Sequence, residues 1–204
     1  MFFSNVKQFP AVIDGRIEIV PFLEASKGVV QFVDLLGSVF IPVKSDINGN
    51  IEKLYKIYHS NEEKFLALND IVAYEMNNTD PKVGIDALLW LKRALEYVHV
   101  FLTCLVNDSK EEQYSDNLVP FFNKAYEEKL KPYHGWFVQK IFGLIVHAAP
   151  SRKSLLHLLA GENSTATESD VIKETEDFLQ SLGNNIDVIN DLYRANNLDN
   201  TDKV

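Results

Sequence analysis

Five histidines (His59, His99, His134, His147 and His157) and one cysteine, Cys104, have the widest chemical range of any side chains in this 204-residue chain. Histidine can ligate a metal or move a proton, and a thiolate can attack carbon or hold a soft metal. Neither use has supporting neighbours. Acidic residues do not join the histidines at ligand spacings, and no His-Glu-x-x-His, Gly-x-Ser-x-Gly, Walker or Rossmann pattern occurs. An acid–base pair of His134 with Asp46 lacks an obvious nucleophile or oxyanion site. Cys104 has no partner within the chain, which excludes an internal disulfide or zinc ribbon and favours a reducing compartment. The expectation is a protein that is not an enzyme and needs no metal or other cofactor, so its function must lie in binding.

Bulk composition narrows what can be bound. Twenty basic against 29 acidic side chains give a net charge of −9, whereas a nucleic-acid partner calls for a basic face. No apolar run approaches the ~20 residues needed to span a bilayer. The N-terminus, Met1-Phe2-Phe3-Ser4-Asn5-Val6-Lys7, does not read as a signal peptide. Cytoplasmic residence is expected, and the glycosylation-like tripeptides at Asn77, Asn107 and Asn163 then meet no modifying enzyme.

Helices must position whatever site exists, because helix breakers are sparse (9 Gly and 7 Pro) and alternating strand patterns are short and few. From Val83 to Val106, Leu88, Leu91, Leu95, Val98, Leu102 and Leu105 step by three or four, with Trp90, Ala94, Tyr97 and Phe101 in a second stripe. Such a wide apolar arc suits a helix buried between two layers. Val171, Phe178, Leu182, Ile186, Ile189 and Tyr193 repeat that spacing, with Thr167 and Asp170 as a start signal. Further helices are expected from Pro21 to Leu36, closed by Gly37, and from Asp46 to Tyr58, with the acidic residue in its first turn. Pro132 divides the stretch from Asn117 to Pro150, whose second part, from Trp136, is apolar nearly all round. Residues 1–16, 107–116 and 160–167 read as loops. The fold class is all-α, in one domain spanning 1–204, with seven or eight helices.

Six short segments carry more specific information: Pro21-Phe22-Leu23-Glu24-Ala25; Asp34-Leu35-Leu36-Gly37-Ser38-Val39-Phe40; the run from Lys44 to Lys53; Leu88-Leu89-Trp90-Leu91-Lys92-Arg93-Ala94-Leu95; Tyr133 to Phe142; and Ala148-Ala149-Pro150. In this order and spacing the chain resembles the glycolipid transfer protein family, from about residue 17 to the C-terminus. The resemblance implies a two-layer helical sandwich of about eight helices around a lipid pocket. It also implies a soluble carrier that moves a glycosphingolipid between membranes without making or breaking a bond.

By that resemblance the headgroup site falls on Asp46, Asn50, Lys53, Trp90 and His134. Their chemistry is suitable. Positions 46, 50 and 53 share one helical face and offer a carboxylate, an amide and an ammonium to sugar hydroxyls that both donate and accept. Trp90 offers a flat plate for a sugar's C–H face, and His134 a hydrogen bond to a ceramide amide. A ceramide-phosphate carrier would need several basic donors, and Lys53 is the one basic residue among the five. Lys92 and Arg93, about 200° and 300° around the helix from Trp90, are not expected to share its direction. Two positions depart from the family pattern. Asp86 stands one turn before Trp90, where an apolar residue is typical, and could take a further sugar hydroxyl; Asp202 stands where relatives carry a tyrosine.

The resemblance also implies a hydrocarbon pocket lined by Phe32, Val33, Phe40, Val43 and Tyr97, together with Phe101, Leu130, Phe142, Ala148 and Phe178. Residues 124–153 carry a local charge of +4, leaving −13 elsewhere. Tryptophan favours a bilayer interface, so Trp136 with Lys131, Lys140 and Arg152 is the expected surface for transient membrane docking; Trp136 packed in the core is the alternative. Two rival functions remain. A lipid sensor would report occupancy to a protein partner, and Val30-Gln31-Phe32-Val33-Asp34 loosely resembles motifs that bind an endoplasmic-reticulum receptor. Ceramide-phosphate transfer is the other.

Overall fold

The computed structural model describes residues 1–111, 114–162 and 164–204; the Asn163 tripeptide lies outside the described residues. Among these residues the chain is all-helical, with nine α-helices and no strand. They are α1 (Phe2–Asn5), α2 (Ile19–Leu35), α3 (Ile41–Ser60), α4 (Leu68–Met76), α5 (Val83–Asp108), α6 (Val119–Lys129), α7 (Trp136–Ile145), α8 (Arg152–Ala160) and α9 (Glu168–Ala195). Single 3₁₀ turns at Ser38–Phe40, Lys131–Tyr133 and Val146–Ala148 join some of them.

The wide apolar arc of α5 is explained by its neighbours. It packs against α2, α3, α4, α6 and α9, so both the Leu88–Leu105 stripe and Ala94, Tyr97 and Phe101 are buried. Helix α9 is tied to it by Tyr193, whose hydroxyl donates to the Ile85 carbonyl at 2.6 Å. The start of α9 follows the sequence signal: Thr167 Oγ1 accepts from the Asp170 amide, and the Asp170 carboxylate accepts from the Thr167 amide. Gly37, at φ 105°, closes α2, and Pro132 sits in the 3₁₀ turn between α6 and α7.

Three boundaries differ from the sequence reading. Helix α3 begins at Ile41, five residues before Asp46, because Pro42 in its first turn needs no amide partner there. Asp46 is therefore interior to α3 and gains nothing from the helix dipole. Helix α4, absent from the sequence reading, buries Leu68, Ile71 and Val72 and is held by further polar contacts. Asp70 accepts from the Ala67 amide at 2.8 Å, and Glu75 accepts from the amides of Gly84 and Ile85 at 2.7 and 2.9 Å, capping α5. A Cβ at Gly84 would meet Ile71 at 2.4 Å, so only glycine permits this approach of α4 to α5. Residues 1–16, finally, are not all loop. Helix α1 drives Phe3 into the core against Phe178, ring centroids 4.4 Å apart, while Glu174 accepts from the Phe3 and Ser4 amides.

Candidate functional site

A cavity of about 460 Å³ opens between α2, α3, α5 and α7. Its wall is mainly apolar. Phe32, Val33, Phe40, Val43, Tyr97 and Phe101 line it as the sequence anticipates, and so do Leu130 and Phe142. Two anticipated lining residues do not. Phe178 faces Phe3 and Phe9 instead of the cavity, and Ala148 is exposed in the 3₁₀ turn after α7.

Five polar or aromatic side chains far apart in sequence, Asp46, Asn50, Lys53, Trp90 and His134, line the same cavity. Three come from successive turns of α3. Lys53 Nζ donates to Asn50 Oδ1 at 3.1 Å, and the Asn50 amide nitrogen donates to the Asp46 carbonyl at 3.1 Å. Asn50 is thus pinned at both ends, while the Lys53 side chain is exposed and keeps two of its three donors available. Desolvation by surrounding protein raises the Asp46 carboxyl pKa above its usual value, opposed by the Lys53 charge.

Trp90 is half-buried, and the His134 ring lies nearly parallel to it, 16° between planes with centroids 6.0 Å apart. Burial, assisted by the Arg93 charge, lowers the His134 pKa below the ordinary 6.5, so the ring is neutral at pH 7. Its Nδ1 lies 3.0 Å from the Tyr126 hydroxyl. Burial lifts that phenol to about 12 and keeps it protonated. A Tyr126 hydroxyl that donates to Nδ1 leaves the ring proton on Nε2, available to a ligand carbonyl. This pairing with Tyr126 rather than Asp46 gives no support to an acid–base couple of His134 and Asp46.

The structure adds residues that the sequence did not reveal and moves others. A step of about 300° ahead of Trp90 is equally a step of about 60° behind it, at roughly 100° per residue, so Arg93 is its neighbour on the helix surface. The Arg93 guanidinium lies 4.9 Å from the Trp90 ring centroid and 3.4 Å from that of Tyr133. The expectation that it points elsewhere is therefore wrong. Arg93 is nonetheless 1% exposed, bonded to Asp199 at 3.1 Å and to the Asn200 carbonyl. It braces Trp90 from behind, and among the described residues Lys53 is the only lysine or arginine lining the cavity. The bonds to residues 199 and 200 also hold the C-terminal segment. Val204 exchanges backbone bonds with Tyr133 (3.0 Å) and Gly135 (2.6 Å) and lines the cavity. Asp202 is exposed and outside the wall, as is Asp86, one turn from Trp90. No simple pattern marks Tyr126 or Val204, since each acts through a contact made only in the fold.

Helix α7 flanks the cavity, has no fully buried residue, and leaves Trp136, Phe137 and Leu144 at least two-thirds exposed. Trp136 is not packed in the core; Lys140 Nζ stands 4.2 Å from its ring, and Lys131 pairs with Glu127. Arg152 cannot belong to a docking surface. It is 2% exposed, with Glu168 and Asp108 neutralising its charge and the Ser109 hydroxyl accepting at 2.6 Å. The Val30–Asp34 segment is likewise not displayed for a receptor, because Phe32 and Val33 are buried. Among the described residues no helix is long and apolar enough to cross a membrane.

Known proteins resemble this chain in sequence and fold. The family profile described as Glycolipid transfer protein (GLTP) matches residues 17–161. A glycolipid transfer protein of Danio rerio is 38% identical over 198 residues, covering 95% of this chain and 93% of that protein. One of Xenopus tropicalis is 36% identical over 193 residues, covering 92% of each. A solved structure described as showing how FAPP2 selects simple glycosphingolipids using the GLTP-fold superposes with a TM-score of 0.87 at 29% identity, covering 100% of this chain and 99% of that one. With a helical fold, a polar-rimmed apolar cavity and a family match over most of its length, the chain belongs to the glycolipid transfer protein family.

Proposed function

We propose that the chain is a single-domain carrier that lifts a glycosphingolipid from one membrane and delivers it to another, with no bond made or broken. The observation that carries this reading is the presence of Asp46, Asn50, Lys53, Trp90 and His134 on the wall of one apolar cavity. The α3 trio hydrogen-bonds the sugar, whose C–H face lies on Trp90, and His134 takes the ceramide amide. Asp86 is exposed one turn away and outside the cavity wall, so any contact it makes is with the outer part of a larger headgroup. A phosphate is the poorer fit, because one exposed ammonium is a weak substitute for a cluster of arginine forks.

The hydrocarbon chains occupy the cavity. Each methylene left in water would cost about 0.8 kcal/mol, so exchange occurs at a membrane surface, docked through Trp136, Lys140, Lys131 and the apolar residues beside them. Such a small patch gives weak, reversible association, as a carrier with cytoplasmic residence needs. Transfer between vesicles, measured with glucosylceramide and with ceramide phosphate, tests the reading. Transfer of glucosylceramide is expected; transfer of ceramide phosphate alone would place the chain in the other branch, and binding without transfer would make it a sensor.

A further inference from the structure

One wall residue of the cavity does not suit a hydrocarbon ligand. Tyr97 lines the cavity among Phe101, Phe142 and Val98, is 7% exposed, and has a hydroxyl with no hydrogen-bond partner. A phenylalanine would fill the same space, so the hydroxyl costs stability in the empty protein and gains nothing there. Burial also drives its pKa upward, so it remains a neutral donor at any working pH.

Its position is informative. Tyr97 follows Trp90 by seven residues on α5, two turns or about 10 Å along the axis, so it lies past the headgroup plate and level with the start of the chains. Tyr126, the partner of His134, packs on the same Phe142 ring as Tyr97, at centroid distances of 3.6 and 6.1 Å, which sets Tyr97 beside the amide end of the lipid. Its cover is soft. The ring of Phe142 stands edge-on to it at 6.1 Å, on α7, the helix without a fully buried side chain. A chain entering the cavity displaces that ring and meets the hydroxyl.

We infer that Tyr97 is a specificity-determining residue that selects sphingolipids bearing an extra hydroxyl on a hydrocarbon chain close to the amide, either on the acyl chain or on the sphingoid base. The inference rests on the carrier reading above. A ligand hydroxyl at that depth satisfies the phenol and is itself satisfied, whereas a bare chain leaves the phenol orphaned. The difference of one buried hydrogen bond corresponds to about a five- to tenfold preference.

The test compares vesicle-to-vesicle transfer of three glucosylceramides, unhydroxylated, 2-hydroxyacyl and 4-hydroxysphingoid, by the wild type and by Tyr97→Phe. The wild type should prefer one hydroxylated form about five- to tenfold, and which of the two it is identifies the chain. In Tyr97→Phe the ratio of hydroxylated to unhydroxylated transfer should fall to near one. The thermal midpoint of the lipid-free variant should be equal to or higher than that of the wild type, which shows that it folds. Equal transfer of all three lipids by the wild type, or a preference that survives Tyr97→Phe, would overturn the assignment while leaving the carrier intact. Failure of the wild type to move any of the three would instead strike the carrier reading itself.

Discussion

Two aromatic regions of this protein have similar composition and opposite physical character. Around Phe3, Phe9, Phe22 and Phe178 every ring is at most 5% exposed, and stacked, edge-on and tilted contacts run from 4.4 to 5.8 Å. On α7, Trp136, Phe137 and Leu144 are at least 67% exposed, and no residue of the helix is fully buried. The first region has its apolar surface removed from water within the fold. The second turns Val138, Ile141, Phe142 and Ile145 toward the cavity and leaves its other face uncovered, the condition that marks a surface for another apolar phase. Stability belongs to the first region, and the proposed function assigns lipid handling to the second.

Truncating a ring on the tight side should have the largest effect on folding. Phe178→Ala is expected to lose about 3–5 kcal/mol, lowering the thermal midpoint by about 2–4 °C for each kcal/mol; a loss below about 1 kcal/mol, the ordinary effect of a point mutation, would dissolve the contrast. Arg152→Ala comes next. It unpairs Asp108 and the partly exposed Glu168, and should cost on the order of 2 kcal/mol in urea unfolding while leaving vesicle binding unchanged. Trp136→Ala should do the reverse. Its stability should change by less than about 0.5 kcal/mol, while affinity for vesicles, followed by co-sedimentation, should drop about tenfold. Unaltered vesicle binding would remove α7 from the docking surface.

The smallest effect is on pH dependence. Burial lowers the folded-state pKa of His134, and likewise that of His99. The unfolded chain therefore binds more protons just below pH 6.5, and stability should fall as pH drops from the unfolded value of about 6.5 through the lower folded values. His134→Gln should flatten part of that slope in urea midpoints measured from pH 7 to pH 5. An unchanged slope would mean that the ring is solvated rather than enclosed beside Trp90.

Much of this arrangement is legible in the chain because it rests on periodicity. The stripes of α5 and α9, the Thr167 start signal and Gly37 appear as pattern before any packing is known. The five residues assigned to the headgroup are reached through motif order and spacing, and the fold gathers all five on one cavity. What the sequence does not reveal depends on contacts between distant segments. Helix α4 has only a short apolar stripe, and its seat against α5 depends on Glu75 and the missing side chain of Gly84. Arg152 reads as a surface cation until Glu168, sixteen residues on, is folded against it. Phe178 reads as pocket lining until Phe3, from the opposite end of the chain, covers it. Arg93 is a different case, since positions three apart on a helix are surface neighbours and the sequence already contained that adjacency.

The central claim is that Trp90 provides the headgroup plate of a carrier, and the rate of glucosylceramide transfer between vesicles by the wild type and by Trp90→Ala tests it most directly. Trp90 is half-buried, at the cavity wall, so the variant should stay folded by circular dichroism and still bind vesicles through α7. Its transfer rate should fall at least tenfold. Transfer at the wild-type rate by a folded Trp90→Ala protein would contradict the account.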